Sequence, residues 1–409
     1  MLAQVRDAIR GRPILALAVG WTATRLLLLA QLAIFSDAFI GDVRLYALWA
    51  SVLGQGQFPV GDPFWQYPPG AGVLFAGLDL FGGQPVVAFI GLALVADAGI
   101  LAMLCATIAR APTAARSWWG PAAWVVGGLA IGPVMLARFD LFPTAFAVAA
   151  ILLATRPGAS GAMAAVGGLL KAWPILVLFA IPRRGLPAAG LAALAVGAIG
   201  ALSIAVWAPG SMAFLSEQQA RGLQIESVGA LGFMLAGAIG RPPEIVLRYG
   251  AFEVQADWVE ELGLALTCLG IILIVALAGL RLLGRLEAAP GGDIALLAVL
   301  ISVASSRVLS PQYSVWLIGV AVAATCNPRS SARRATWLLI AMAAVTQVLF
   351  PWCYGSYLDA ATQAVGLQAL RIGLLVWAIS AIGVDTLRPA LTRGAPASAG
   401  PPPRPGHQS

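Results

Sequence analysis

Polar positions are sparse along this chain, and they cut it into long apolar runs. Nearly unbroken apolar stretches lie at about 14–35, 85–109, 118–137, 140–155, 186–208, 259–283, 335–352 and 361–386. A helix of roughly 20 apolar residues crosses the hydrocarbon core of a bilayer, so the pattern predicts membrane-spanning helices. Two further stretches, 159–182 and 293–326, are too long for one upright helix. Each carries a break, at Lys171-Ala172-Trp173-Pro174 and at Ser305-Ser306-Arg307-Val308-Leu309-Ser310-Pro311. Proline removes a helical hydrogen bond and pushes the preceding residue out of the helical region. Each stretch therefore reads as two short helices meeting at its break. The fold class that follows is all-α and polytopic, with about twelve transmembrane helices in a single domain spanning 1–387. The Pro/Gly-rich end, 388–409, reads as a disordered tail.

Two segments depart from this pattern. The first, 36–84, follows the first span and carries Asp37, Asp42, Arg44 and Asp62 among Trp49, Phe58, Phe64, Trp65 and Tyr67. Leu45, Leu48, Trp49 and Val52 recur at helical spacing, which predicts an amphipathic helix from Asp42 to Leu53. Gly54, Gly56 and Pro59 end it. A second apolar piece, 71–81, is too short to span. Both are expected to lie on the membrane surface. The second segment, 209–258, is polar, with Glu217, Arg221, Glu226, Arg241, Glu244, Arg248, Glu253 and Asp257 around a short apolar piece from Val228 to Ile239.

Composition agrees with the pattern. Of 409 residues, 60% are hydrophobic and 11% charged, against about 25% charged in soluble domains. The net charge of +7 raises nucleic acid as a partner, but a cytoplasmic excess of Arg explains it better. With Arg6, Arg10 and Arg12 inside, the spans place about sixteen of the 25 basic residues in the cytoplasm, against about four of the 18 acidic ones. Both termini are then cytoplasmic, and 36–84 and 209–258 face outward. The first span is long and holds Arg25, unlike a cleavable signal. Arg25 and Asp97 sit mid-span in the first two spans, at matching depth if those spans are antiparallel. An unpaired charge there is costly, so the two are expected to pair structurally.

The chemistry must come from few residues. The single His, His407, lies in the tail, and Cys105, Cys268, Cys326 and Cys353 are scattered, so neither a metal site nor a disulfide framework is expected. Carboxylates remain as general bases. Asp42 stands at the end of a span and the start of a helix, where it serves as an N-cap, as a base, or as both. Arg138, Lys171 and Arg307 lie at helix ends and breaks, either as anion-binding cations or as interfacial snorkelling side chains. Lys171 is the one lysine in the chain, and no acidic residue lies near it in sequence. Trp173 and Tyr313 beside these cations stack on sugars or belong to the interfacial aromatic belt.

The order of motifs carries more. One span is followed by Asp42-Val43-x-x-Tyr46, then Gln66-Tyr67-Pro68-Pro69-Gly70, Arg138-Phe139-Asp140, Lys171-Ala172-Trp173-Pro174 and Ser310-Pro311-Gln312-Tyr313. Over roughly 14–385 this resembles the polyprenol-phosphate-mannose-dependent mannosyltransferases, glycosyltransferase family 87 of the GT-C superfamily. The resemblance implies an integral membrane enzyme that moves a hexose, expected to be mannose, from a polyprenyl phosphate to a glycolipid or polysaccharide at the outer face of the plasma membrane. It implies an acidic base early in the first outer loop, a role that maps onto Asp42. Lys171, Arg307, Arg138, Asp140, Tyr67, Trp173 and Tyr313 are then the expected substrate-binding residues, with no cofactor, no metal and no nucleic acid. The competing class is a transporter or flippase, which many spans, broken helices and the intramembrane charges Arg25, Asp97 and Arg371 also fit.

Overall fold

The computed structural model describes residues 12–62, 64–212 and 222–392. Arg6, Asp7 and Arg10, together with Glu217 and Arg221, lie outside the described residues. The described residues are mostly helical, with few in strands. Among the described residues, six helices are long and apolar enough to cross a membrane: Pro13–Ile34 (α1), Pro85–Arg110 (α5), Arg183–Trp207 with α9 as its Leu186–Trp207 part, Val259–Leu282 (α11), Ala332–Trp352 with α14 as its Ala332–Gln347 part, and Thr362–Arg388 in α16 (Thr362–Thr392). Because α16 runs to Thr392, residues 388–392 are helical, which corrects the expected start of the disordered tail. Residues 393–409 of that tail lie outside the described residues.

Shorter apolar helices form the centre. They are Trp119–Ile131 (α6), Leu141–Leu152 (α7), Pro157–Leu170 (α8), Gly291–Ala304 (α12) and Tyr313–Ala324 (α13). At 1.5 Å per residue the 14 residues of α8 extend about 21 Å, less than a hydrocarbon core. Every residue of α13 from Ser314 to Ala324 is buried. By contrast α9 exposes Leu191, Leu194, Ile199, Leu202 and Val206. Long helices thus present lipid-compatible surface while short ones fill the middle. The second short piece of 159–182 is a 3-10 helix, Trp173–Ala180, rather than an α-helix. Backbone that leaves the helix at membrane depth is tolerated where protein covers it or it lines a cavity. The breaks before α7, after α8 and before α13 all lie inside this central group.

Arg25 of α1 and Asp97 of α5 are joined in the interior. Arg25 donates from Nε to Asp97 Oδ2 at 2.7 Å and from Nη2 to Oδ1 at 2.9 Å. Trp21 and Trp124 donate their indole N–H groups to the same carboxylate at 2.6 and 2.9 Å. Four donors and one opposite charge compensate its removal from water.

In the 36–84 segment, Ser36–Phe39 (α2) leads into Gly41–Gly54 (α3), and Pro69–Ala76 (α4) is followed by a 3-10 turn, Gly77–Phe81. The helix expected at 42–53 exists, but its buried face is Val43, Tyr46, Trp49, Ala50 and Leu53. Leu48, one of the apolar positions that marked the expected helix, is 66% exposed. The helix turns its aromatic side inward, with Tyr46 stacked on Phe75 at 4.5 Å, and leaves a leucine outward. Apolar character does not mark the protein-facing side of a helix whose surroundings are themselves apolar. α4 is drawn into the structure: Gly70 lies against the Leu169 carbonyl of α8, where a Cβ would fall 2.7 Å from the carbonyl carbon.

The 222–258 segment holds an unforeseen antiparallel sheet of order β1-β3-β2, from Leu223–Gln224 (β1), Glu244–Arg248 (β2) and Ala251–Gln255 (β3). β2 and β3 join through Tyr249 and Gly250, at φ 51° and 72°, the left-handed pair that a two-residue hairpin requires. The apolar piece forms helix Leu231–Ala238 (α10). Glu226 tethers this segment to α16. It receives Arg371 Nη1 at 3.0 Å and Gln224 Nε2 at 2.8 Å, and Arg371 Nη2 donates to the Leu309 carbonyl at 2.9 Å. Arg371 is therefore a buried structural cation.

Candidate functional site

Asp42 occupies the first turn of α3, where the helix dipole favours a carboxylate. Ile40, not Asp42, is the N-cap, and no side-chain cap bond forms. The expected capping role is thus replaced by another contact: Asp42 Oδ2 lies 3.0 Å from Arg138 Nε, with the Asp42 side chain 40% exposed. Arg138 also donates to the carbonyls of Phe39 and Ala137 at 2.7 and 2.9 Å. One guanidinium thereby fixes the entry to α3 and the position of its acidic residue.

Two residues along, Asp140 begins α7 and is buried. Its Oδ1 accepts from Lys171 Nζ at 2.7 Å and from Trp316 Nε1 at 2.5 Å. Lys171, with no acidic residue near it in sequence, is thus paired with one 31 positions away, brought to it by the packing of α7 on α8. Lys171 Nζ stands 4.6 Å from the Trp316 ring centroid, 5.5 Å from that of Tyr313 and 6.0 Å from that of Tyr67. Aromatic faces attract an ammonium at these distances. Trp316 in turn lies between Tyr313, at 3.8 Å, and Trp173, at 5.1 Å, with ring planes within 24° and 17° of parallel. Trp173 is buried in this stack, so it is not a belt residue facing lipid.

Tyr67 joins the two halves. Its hydroxyl pairs with that of Tyr46 at 3.0 Å, and its ring packs on Phe139 at 5.4 Å. Burial, and then the neighbouring Asp42 charge, push the Tyr67 phenol well above its ordinary pKa; burial does the same for Tyr46. Both hydroxyls therefore remain hydrogen-bond donors. Arg138-Phe139-Asp140 is the hub: Arg138 holds Asp42, Phe139 packs under Tyr67, and Asp140 holds Lys171. The outcome is a row of alternating charges, Asp42, Arg138, Asp140 and Lys171, edged by Tyr67 and the three-ring stack.

Two other charged residues are engaged elsewhere. Asp62 accepts from Trp49 Nε1 at 2.8 Å and from the Phe64 amide at 2.9 Å, which orders the loop after α3. Arg307 lies across Gly263 of α11, and its carbonyl accepts the Gln224 amide at 3.0 Å, beside β1. Sequence reasoning missed Trp316 and Glu226. Trp316 falls at the fourth position of α13 after Gln312, but nothing in an apolar run distinguishes it from core. Among the described residues, no group of three or more His, Cys, Asp and Glu could hold a metal ion.

The model of glycosyltransferase family 87 matches residues 65–311, more than half of the chain and all of the hub. The chain belongs to glycosyltransferase family 87. It is accordingly a membrane glycosyltransferase, and the transporter reading is set aside. No curated protein and no solved structure matches the chain. Within the family-87 match lie Tyr67, Arg138, Asp140, Lys171, Trp173 and Arg307, whereas Asp42, Tyr313 and Trp316 fall outside its limits.

Proposed function

We propose that this glycosyltransferase moves a hexose, mannose in the simplest case, from a polyprenyl phosphate to a hydroxyl of a glycolipid or polysaccharide, with Asp42 as general base. The observation that carries the reading is Asp42 itself. It is a partly exposed carboxylate at a helix start, tied through Arg138 to the motif that also holds Lys171. The cytoplasmic bias of basic residues supports an active site on the outer face of the plasma membrane.

The acceptor hydroxyl gives its proton to the Asp42 carboxylate as its oxygen attacks the anomeric carbon. The bond from that carbon to the phosphate oxygen breaks, and its electron pair stays on the phosphate. The leaving group thus changes from a singly charged diester to a doubly charged monoester, and the proton passes from Asp42 to water. A cation beside the departing oxygen stabilises the charge that develops there, a role suited to Lys171, whose ammonium has three donors and gives one to Asp140. One displacement inverts the anomeric carbon, so a β-linked donor yields an α-linked product.

The test is transfer from radiolabelled polyprenyl-phosphate mannose in membranes carrying Asp42→Asn. Asn keeps the shape and removes the basic oxygen. Label in the glycolipid fraction should drop by at least about a hundredfold with protein abundance unchanged. Wild-type transfer in that variant removes Asp42 from the mechanism.

A further inference from the structure

Lys171 arrives at the site already neutralised. Asp140 is 2% exposed, holds the ammonium at 2.7 Å, and is itself held by Trp316. A site built only to attract phosphate gains nothing from a buried carboxylate beside its lysine, because that carboxylate repels the ligand. The row Asp42, Arg138, Asp140, Lys171 sums to zero formal charge. The reaction proposed above, on which this step rests, raises the charge of the phosphate during turnover. The donor diester carries one negative charge, and the product monoester carries about −1.5 to −2 at neutral pH.

We infer that Asp140 is a positioning residue that fixes the Lys171 ammonium and, by cancelling its charge, fits the site to the singly charged donor rather than to the doubly charged product, so that the polyprenyl phosphate leaves. The orienting part of the role follows from the contacts. Asp140 takes one N–H of Lys171 and leaves two for a ligand, while Trp316, Tyr313 and Tyr67 limit where the ammonium can go. The balancing part follows from Coulomb's law. Removal of one negative charge a few ångströms away strengthens the hold on a dianion about twice as much as on a monoanion.

The experiment uses the purified full chain, a short-chain polyprenyl phosphate as product, and its hexose diester as donor. The readout is the ratio of the product inhibition constant to the donor KM. In Asp140→Asn this ratio should fall on the order of tenfold. kcat should fall with it as product release becomes limiting, and a burst of product should precede the steady state. Asp140→Glu should return the ratio toward wild type. A parallel rise of both constants, or an unchanged ratio, overturns the inference, since loss of packing alone weakens both ligands together.

A measurement on the wild-type protein covers failure of the variant to fold. Between pH 7.5 and 5.5 the product takes up its second proton and comes to carry the donor's charge. Asp140, Tyr67 and Tyr313 are the titratable groups facing the ammonium, with Arg138 and Asp42 beyond them. Product inhibition should tighten relative to donor KM as pH falls, and loosening or an unchanged ratio sinks the idea. Lys171→Met separates the two levels. If neither donor nor product binding responds to it, the donor-phosphate reading fails. If both weaken while the Asp140→Asn ratio stays at the wild-type value, only the charge-matching inference falls.

Discussion

Asp97→Asn tests the interior of the bundle most directly. In the native protein each carboxylate oxygen of Asp97 accepts two donors: Oδ2 from Arg25 Nε and Trp21 Nε1, and Oδ1 from Arg25 Nη2 and Trp124 Nε1. Asn is nearly isosteric but replaces one oxygen by an NH2 group, so two of the four donors then face another donor. A hydrogen bond to a charged group contributes about 1.5–3 kcal/mol, so two lost bonds cost about 3–6 kcal/mol. Arg25 retains the Val125 carbonyl at 3.0 Å and Thr24 Oγ1 at 3.0 Å, which offsets part of the uncompensated charge. The expected loss is about 3–5 kcal/mol, the range for breaking one side of a buried pair. Arg25→Met combined with Asp97→Asn removes the stranded cation and should recover all but about 1–2 kcal/mol. Equilibrium unfolding in mixed detergent micelles, followed by tryptophan fluorescence, measures both. An Asp97→Asn variant within about 1 kcal/mol of wild type, or a double variant no more stable than the single one, refutes the reasoning.

Two further perturbations follow from other contacts, beside the Asp42 and Asp140 variants described above. Gly128→Ala should cost about 1–3 kcal/mol in the same unfolding assay, because a Cβ there falls 2.6 Å from the Arg25 guanidinium carbon. Arg371→Met leaves the Glu226 carboxylate buried without its cation, so it should lower stability by about 3–5 kcal/mol and open the 222–258 segment to protease. Arg371→Met with Glu226→Gln should restore most of that protection.

The chain's own one-dimensional pattern was enough for the class and for the sites of interruption. The six long spans and the depths of Arg25 and Asp97 follow from comparing apolar run length with bilayer thickness, a comparison that needs no knowledge of neighbours. The breaks at Lys171 and at Ser305–Pro311 follow from proline and polar residues. The runs 118–137 and 140–155, also read as spans, instead form α6 and α7, of 13 and 12 residues. The motif order was also readable, and the family match over 65–311 agrees with it. Tertiary structure alone decided partners. Lys171 meets Asp140 across 31 positions, Arg371 meets Glu226 across 145, and Trp316 meets Asp140 across 176. No local signal encodes a contact at such separations. It also decided which face of α3 turns inward, since in a bilayer the lipid and the protein core attract the same side chains. The small sheet escaped for a related reason: strands of two and five residues with polar flanks carry too little periodicity to stand out. Breaks in helices told where polar chemistry would stand; packing of short helices against one another determined which charges would face.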